Sequence, residues 1–476
     1  MSAGGARYDY GRDGYDSHCG RGRCCGWRRF GKLALALALT GALFALVAAM
    51  PGARPAHAAE QPAAALQPLL DRALPGDTLV LPPGVYTGPA TIDKPLTVRV
   101  QAGGEAAVLA HADADAALTI AADDVTVEGL RIVDETVKDA PTVLVAGDRA
   151  QLLDLRISSA GKHAITVRDA NDGTVARSTI AWAAEGVRMA SKGNGIDLYN
   201  AHRWIIADNM IADMHDGIYM ENSDDALVEG NAIERSRYGV HCMYTRGTII
   251  RGNTSERNVT GAMVMTAQGV TVADNTFVKQ NENVHSQGIL LFDAHESVIA
   301  DNVVEGNRVG LYVEQSTGNR LERNRVRYNF IGLQLLDADD NTAQGNAFIG
   351  NVTDAQARGS AENRIAGNYW DSFQGIDTNG DGTSDIAYAI NPFFSELVQK
   401  RPAFQLFFQS PGIRLLEELH RTDRLQWAAD EAPLMSAPAG LDPGDVGHGE
   451  SLVGAIGLAL LGGSGLLMYV TRRRTI

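Results

Sequence analysis

The fold is decided by the residues from Asn209 to Gly230, NMIADMHDGIYMENSDDALVEG, because their pattern returns at a fixed interval. Eight asparagines share this register and are separated by steps of 22, 22, 22, 27, 22, 22 and 22 residues: Asn209, Asn231, Asn253, Asn275, Asn302, Asn324, Asn346 and Asn368. Six glycines follow the same steps and share the 27-residue interval: Gly217, Gly239, Gly261, Gly288, Gly310 and Gly332. A fixed period of this length is typical of a solenoid.

Each repeat holds short alternating stretches, one after the glycine and one after the asparagine, with no room for a helix. We therefore predict an all-β chain that folds as a right-handed parallel β-helix, with about 22 residues in each coil and about eleven coils spaced at about 4.8 Å. We interpret the glycines and asparagines as turn residues and expect the stacked asparagines to hydrogen-bond from coil to coil. Residues 191–200 break the interval and are expected to form an extra loop.

The segments outside the regular repeat differ in composition, and they predict a modular chain. The expected order is a signal peptide (1–58), an N-terminal cap with the first coils (59–117), the β-helix (118–375), a calcium-like loop (376–390), a C-terminal docking segment (391–427), a linker (428–450), a transmembrane helix (451–471) and a cytoplasmic tail (472–476).

The first residues are typical of an export signal. Basic residues precede the apolar run from Leu33 to Met50, and Ala56-His57-Ala58 offers a small-residue cleavage site. Arg28-Arg29 is similar to a twin-arginine signal, so both the general secretory route and the twin-arginine route stay open. An uncleaved anchor is the alternative to cleavage. Either route places the folded part in the periplasm.

Charge and cysteine content narrow the function classes. Residues 1–58 carry eight Lys/Arg and three Asp/Glu, so the remainder has a net charge of −20, against −15 for the whole chain. Such an acidic surface argues against nucleic acid and suits cations or a basic protein partner. Beyond the signal segment Cys242 stands alone, so no internal disulfide is expected.

The C-terminal end carries a second membrane signal. Residues 451–471 hold no charged side chain, and Arg472, Arg473 and Arg474 follow them. About 20 apolar residues span a bilayer, and the arginines favour a cytoplasmic end. We predict an inner-membrane anchor, which is either a lone helix or one that packs through its glycines on another membrane helix.

Residues 377–385, DTNGDGTSD, resemble the first part of a calcium loop. Oxygen-bearing side chains stand at positions 1, 3, 5 and 9: Asp377, Asn379, Asp381 and Asp385. Position 12 is Tyr388 where an EF-hand has glutamate. We predict a structural calcium ion at this turn, and a polar turn without an ion is the alternative.

Apolar residues in the segment 391–427 suggest a contact surface. Phe407 and Phe408 precede a helical pattern that includes Leu415 and Leu419. This surface either docks on a membrane partner or packs on the end of the rod.

The candidate functional patch follows from strand alternation. Residues one and three after each glycine are apolar and are expected to face the core, which makes Cys242 a core residue. Residues two and four after the glycine are expected to face solvent, and on adjacent coils they place His241 and Met243 beside Met263 and Met265. Imidazole and thioether groups suit Cu(I), whereas exposed methionines also favour protein docking. Both interpretations stay open.

Two further residues belong to this region. His215 lies at the preceding turn, and Tyr219 stands in the same outward column as His241. Both are candidates for partner docking beside the patch.

The segment from Arg237 to Tyr244, RYGVHCMY, resembles the hallmark coil of the NosD family, although Cys242 stands where that family usually has an aromatic residue. The segments His215–Tyr219 and Asn368–Asp371, together with the calcium-like loop, are also similar to it. The resemblance covers most of residues 60–420. It implies a periplasmic protein that helps to assemble the copper-sulfide centre of nitrous oxide reductase, with copper or sulfur as the transient cargo.

The resemblance also implies partners: the ATPase and membrane subunits of an ABC transporter, the reductase apo-enzyme, and a copper chaperone. The chain lacks a phosphate-binding loop, so the partner ATPase would supply the energy. We expect no catalytic site. The rival is a polysaccharide lyase or epimerase, whose acid/base candidates are Arg188, His215, Asp216 and Glu221.

Overall fold

The computed structural model describes residues 63–439, except for 102, 104–105, 281–282, 284, 361, 408–409 and 420–426. The chain divides into two compact units, Met1–Glu60 and Gln61–Ile476, and the described residues all belong to the second. The predicted signal peptide (1–58), transmembrane helix (451–471) and tail (472–476) lie outside the described residues. Within residues 63–439, no helix is long and apolar enough to cross a bilayer.

Three sheets run along the unit. Sheet A has 14 strands, in the order Ala64–Ala65 (β1), Gly84–Thr87 (β3), Ala107–His111 (β6), Arg131–Asp134 (β9), Arg156–Ser159 (β12), Thr179–Trp182 (β15), Met210–Ala212 (β18), Ala232–Glu234 (β21), Thr254–Glu256 (β24), Thr276–Val278 (β27), Val303–Glu305 (β30), Arg325–Arg327 (β33), Ala347–Ile349 (β36) and Tyr369–Trp370 (β39).

Sheet B has 15 strands, in the order Thr78–Leu81 (β2), Thr97–Val100 (β5), Thr126–Glu128 (β8), Gln151–Leu153 (β11), Thr174–Ala176 (β14), Ile205–Ala207 (β17), Leu227–Glu229 (β20), Ile249–Arg251 (β23), Thr271–Ala273 (β26), Val298–Ala300 (β29), Arg320–Glu322 (β32), Thr342–Gln344 (β35), Arg364–Ala366 (β38), Ala429–Asp430 (β41) and Tyr388–Ala389 (β40).

Sheet C has 12 strands: Ala90–Ile92 (β4), Leu118–Ile120 (β7), Val143–Val145 (β10), His163–Arg168 (β13), Asn194–Tyr199 (β16), Asp216–Glu221 (β19), Tyr238–Met243 (β22), Thr260–Met265 (β25), Gln287–Phe292 (β28), Val309–Glu314 (β31), Ile331–Leu336 (β34) and Thr353–Arg358 (β37). The helices are Gln67–Arg72 (α1), Phe393–Lys400 (α2) and Pro411–Leu419 (α3), with 3₁₀ turns at Met189–Ser191 and Pro402–Phe407.

The prediction of a parallel β-solenoid with coils of about 22 residues is confirmed. Each strand pairs in parallel with the equivalent strand of the next coil, and β40 with β41 forms an antiparallel pair at the end. The predicted eleven coils are too few, since sheet A alone holds 14 strands. The early coils escaped the count because their lengths vary: Val143 pairs 25 residues after Leu118, and Asn194 pairs 31 after His163. The right hand of the solenoid stays a prediction.

The asparagine ladder holds the coils together. Asn231 donates from Nδ2 and from its backbone N–H to Oδ1 of Asn253, both at 2.9 Å, and also donates to the backbone carbonyl of Ile206 at 2.8 Å. The same pattern repeats along the ladder, whose side chains are fully buried. Each asparagine therefore satisfies backbone groups on its own coil and on its neighbours, which a buried turn requires.

The glycine ladder has a different cause from the one that the sequence suggests. Gly217 and its five equivalents do not adopt positive φ. A Cβ atom on Gly217 would lie 2.4 Å from Ile233 and 2.7 Å from the carbonyl oxygen of Gly239. Close approach of the coil to its neighbour thus requires these glycines. The left-handed conformation falls instead on the residue before each ladder asparagine, such as Asp208 at φ 55°.

The insertion before sheet C also differs from the prediction. Residues 194–199, expected inside an extra loop, form strand β16 of sheet C. The additional residues lie just before it, at 183–193, and include the 3₁₀ turn Met189–Ser191. Lys192 fastens this insertion to the next coil by donating to the backbone carbonyl of Asp213 at 2.8 Å. The insertion therefore borders the outward face of sheet C.

Both ends of the core are covered. At the first coil, Leu66 and Leu70 beside and within α1 are buried in the core cluster. At the last coil, Asp430 replaces the next asparagine: its Oδ2 accepts from Nδ2 of Asn368 and from Nε1 of Trp370, both at 3.0 Å. Residues 428–435, expected to begin a linker, thus return to the solenoid end, because Asp430 satisfies the last turn of the ladder.

Candidate functional site

The outward face of sheet C carries the candidate site. Parallel pairing places Tyr219 beside His241, His241 beside Met263, and Met243 beside Met265. We call His241, Met243, Met263 and Met265 the methionine patch. Its three methionines are half-buried, and the next strand extends the apolar surface with Leu290 and Phe292. The sequence prediction of adjacent outward columns therefore matches the register of these strands.

Two similar polar pairs flank the apolar surface. On one side the Oη atom of Tyr219 donates to Glu221 at 2.7 Å, and on the other Oη of Tyr312 donates to Glu314 at 2.7 Å. Burial, and then the neighbouring carboxylate, raises the pKa of both tyrosines. Both phenols consequently remain protonated donors at neutral pH.

The imidazole of His241 is buried, whereas strand alternation predicts a solvated side chain. The residue is 5% exposed. The rings of Tyr219 and Tyr238 contact it edge-on, with centroids 4.9 and 5.0 Å from that of the imidazole. Its Nδ1 atom lies 3.1 Å from Oδ2 of Asp216. The expectation of an exposed imidazole is wrong, because a tyrosine of its own strand and one of the preceding coil cover it.

Asp216 is fully buried and forms an ion pair with Arg237. Nε of Arg237 donates to Oδ1 at 2.8 Å, and Nη2 donates to Oδ2 at 2.7 Å. Burial by itself would raise the pKa of Asp216, but the hydrogen bonds from His241 and Arg237 outweigh it and lower the pKa to about 2. Asp216 is therefore an ionised carboxylate that only accepts hydrogen bonds.

The donor set fits a soft cation. The Nε2 atom of His241 is buried and has no hydrogen-bond partner within the described part of the chain, which is uncommon for a buried nitrogen. The thioethers of Met243 and Met263 lie on the same strand and on the adjacent one. Imidazole and thioether ligands suit Cu(I). These residues could hold copper, and the same surface could hold a protein segment.

Cys242 faces the opposite side of the strand. It is fully buried in the hydrophobic core, as predicted. Burial raises the pKa of its thiol to about 12, so the group stays a protonated thiol rather than a thiolate ligand.

A second polar cluster lies on the neighbouring coils. His163 accepts at Nδ1 from the backbone N–H of Asn194 at 3.1 Å, and its Nε2 lies 3.5 Å from Asp197. Burial lowers the pKa of His163 to about 4, although the charge of Asp197 opposes the shift. Arg168 completes the cluster, 2.8 Å from Asp197. The sequence gave no signal for this cluster, because the 31-residue coil hides the pairing of His163 with Asn194.

His215 lies between the two clusters. It is half-buried, and burial lowers its pKa despite the adjacent Asp216. Its backbone N–H donates to Gly193 in the insertion at 2.7 Å. His215 thus stands at the border of the methionine patch, where the sequence analysis expects a docking residue.

The acid/base candidates do not form a sugar-cleaving pair. Asp216 is occupied by Arg237 and His241, and Glu221 accepts from Tyr219. Arg188 is exposed on the insertion.

The calcium-like loop forms a network of turns. Asp377 accepts from the backbone N–H groups of Gly380 and Gly382, at 2.6 and 3.0 Å, and Asp385 accepts from the backbone N–H of Thr378 at 2.8 Å. Among the described residues, carboxylate and imidazole ligand atoms group within 4.8 Å at His111, Asp113 and Asp115, and not at Asp377, Asp381 and Asp385. Calcium at this loop stays a prediction.

The C-terminal docking segment covers one end of sheet C. Phe394 of α2 is 7% exposed, and Ser395 lies within 3.4 Å of Gln356 on the last strand of the sheet. Among the docking candidates, the exposed fractions are 55% for Phe407, 56% for Leu415 and 61% for Leu419, while Phe408 lies outside the described residues. The segment therefore packs on the rod through α2 and exposes apolar side chains on the following elements.

Comparison with known proteins identifies the family. The model of the family described as "Periplasmic copper-binding protein (NosD)" matches residues 182–384. The "Probable ABC transporter binding protein NosD" of Pseudomonas aeruginosa is 38% identical over 390 residues, which cover 75% of this chain and 87% of that protein. The chain belongs to the NosD family. The Stutzerimonas stutzeri protein of the same name is 37% identical over 389 residues, covering 75% of this chain and 86% of that protein.

Solved β-solenoids are more distant from this NosD-family chain. The alginate lyase from Paenibacillus sp. has 21% sequence identity and a TM-score of 0.41, and the match covers 50% of this chain and 91% of the lyase. A match at this level carries no functional argument.

Proposed function

We propose that this NosD-family chain is a periplasmic scaffold for the maturation of nitrous oxide reductase. In this proposal it assists assembly of the copper-sulfide centre and has no catalytic site of its own. The observation that carries the proposal is the methionine patch, a half-buried apolar surface with a buried, unpartnered imidazole nitrogen. A surface of this composition suits transient contact with copper or with the reductase apo-enzyme.

The proposal includes an ABC transporter as the source of energy. The relatives in Pseudomonas aeruginosa and Stutzerimonas stutzeri are named as ABC transporter binding proteins. Exposed Phe407, Leu415 and Leu419 supply an apolar surface for the membrane subunit. Residues 451–471 would anchor the chain in the inner membrane, and a copper chaperone would deliver the metal.

The test is a double substitution, His241→Ala with Met243→Ala, in cells that depend on this protein for nitrous oxide reduction. The expected result is a soluble, folded protein that fails to support reductase maturation. Met210→Ala is the matched control, because Met210 lies on the outward face of sheet A and is 63% exposed. Full nitrous oxide reduction by the double variant would remove the methionine patch from the maturation role.

A further inference from the structure

We propose that Asp216 is a positioning residue that fixes His241 in the Nδ1–H tautomer and so leaves Nε2 as an open nitrogen ligand. The inference rests on the proposed function in one respect: the ligand class it assigns to Nε2 is a soft monovalent cation such as Cu(I). The tautomer itself follows from the geometry alone.

The first step is the direction of the hydrogen bond between the two residues. Oδ2 of Asp216 lies 3.1 Å from Nδ1 of His241, and the carboxylate also accepts both N–H groups of Arg237. An ionised carboxylate offers no proton. The proton between Oδ2 and Nδ1 must therefore come from the imidazole, so Nδ1 is the protonated nitrogen.

The second step is the surroundings of the other nitrogen. A neutral imidazole protonated at Nδ1 has its lone pair at Nε2. Nε2 is buried and lacks a hydrogen-bond partner among the described residues, and the edges of Tyr219 and Tyr238 hold the ring in place. A buried lone pair without a donor is costly, and a bound cation would satisfy it.

The third step is the chemistry that adjoins Nε2. The side chain beside His241 on the next coil is Met263, and Met243 lies two residues along the same strand. Thioethers select soft monovalent copper over calcium or magnesium. An outer carboxylate that orients a histidine ligand is a general feature of metal sites, and its loss typically costs 10–100-fold in affinity.

The experiment compares two double variants of the full-length protein. Asp216→Ala with Arg237→Leu removes the carboxylate together with its cation, so no buried charge is left unpaired. Asp213→Ala with Arg235→Leu is the matched control, because this pair has the same two-bond geometry, at 3.0 and 2.9 Å, on the exposed turn of the same coils. His241→Ala assigns the signals.

The first readout is nitrogen NMR of metal-free protein labelled at histidine. We expect the Nδ1–H tautomer in the wild type and in the control, and a shift towards Nε2–H in Asp216→Ala/Arg237→Leu. An Nε2–H tautomer in the wild type, or an unchanged tautomer in that variant, overturns the proposal.

The second readout is competitive titration with Cu(I) and a chromophoric chelator. We expect the Asp216 variant to bind about 10–100-fold more weakly than the wild type, and the control to bind equally. Equal affinity in the Asp216 variant overturns the positioning role. A wild type that does not bind Cu(I) refutes copper handling in the proposed function, while the tautomer measurement still decides the geometric part.

Discussion

The asparagine ladder and the outward face of sheet C occupy the same coils but differ in how they vary from coil to coil. At each step of the ladder the same side chain makes the same bonds, as Asn231 does to Asn253 and Asn253 to Asn275. On sheet C the outward column instead reads Tyr219, His241, Met263 and Leu290. The repeated residues specify the scaffold, and the column that departs from repetition carries the site.

Breaking the ladder should have the largest effect on the fold. Asn253→Ala leaves the buried backbone N–H of Asn231 without an acceptor and several carbonyls without a donor. We expect the free energy of unfolding to fall by about 3 kcal/mol or more, since each unsatisfied buried group costs about 1–3 kcal/mol. Urea denaturation measures it.

The companion change is Met263→Ala on the sheet C face. Because Met263 is half-buried, the expected loss is about 1 kcal/mol. Equal losses for the two variants would contradict the division between scaffold and face.

The end of the ladder provides the next test. Asp430→Ala removes the acceptor of Asn368 and Trp370, and we expect a loss of about 2–3 kcal/mol of stability. Asp430→Asn restores the residue type of the ladder and should recover most of that loss in thermal melting. If the asparagine variant melts like the alanine variant, Asp430 does not act as the terminal ladder residue.

A buried carboxyl group near the same end predicts a pH dependence. Asp354 is 3% exposed, and burial, reinforced by the charge of Asp371, raises its pKa to about 6 although Ser372 donates to it. Between the unfolded pKa of about 4 and the folded value, the folded state binds more protons. Stability therefore falls as the pH rises from about 4 to about 6, and the cost is fully present above that range.

Asp354→Asn removes this dependence. We expect the variant to be more stable than the wild type by about 2 kcal/mol at pH 7, and to lack the decline between about pH 4 and 6. Melting temperatures across that range measure it, and parallel curves for the two proteins would contradict the assignment.

The calcium-like loop should give the smallest effect. We expect calcium to raise the melting temperature of the wild type by a few degrees, about 1 kcal/mol, and to leave Asp381→Ala unchanged. Identical melts of the wild type with calcium and with chelator would leave a polar turn in its place.

Much of the scaffold was predictable from the sequence because a ladder repeats one residue at one spacing. Two further ladders escaped notice, through Asn319 and Asn341 and through Asn307 and Asn329, because they occupy fewer coils. The register of His241 and Met263 was also predictable, since alternation and coil spacing fix it.

The surroundings of the site were not predictable in the same way. The burial of His241 depends on the orientation of two tyrosine rings and on a carboxylate 25 residues earlier in the chain. The position of the insertion depends on which of two adjacent segments pairs as β16. Neither property is encoded in spacing alone.

The central claim is that the sheet C face receives the partners of this protein. A photo-crosslinking residue placed at position 263, and in parallel at 210 on sheet A, tests it in intact membranes, with captured proteins identified by mass spectrometry. We predict a copper reductase or an ABC transporter subunit crosslinked from position 263 and not from 210. Equal capture from both positions, or oligosaccharide in place of protein at position 263, would contradict the account.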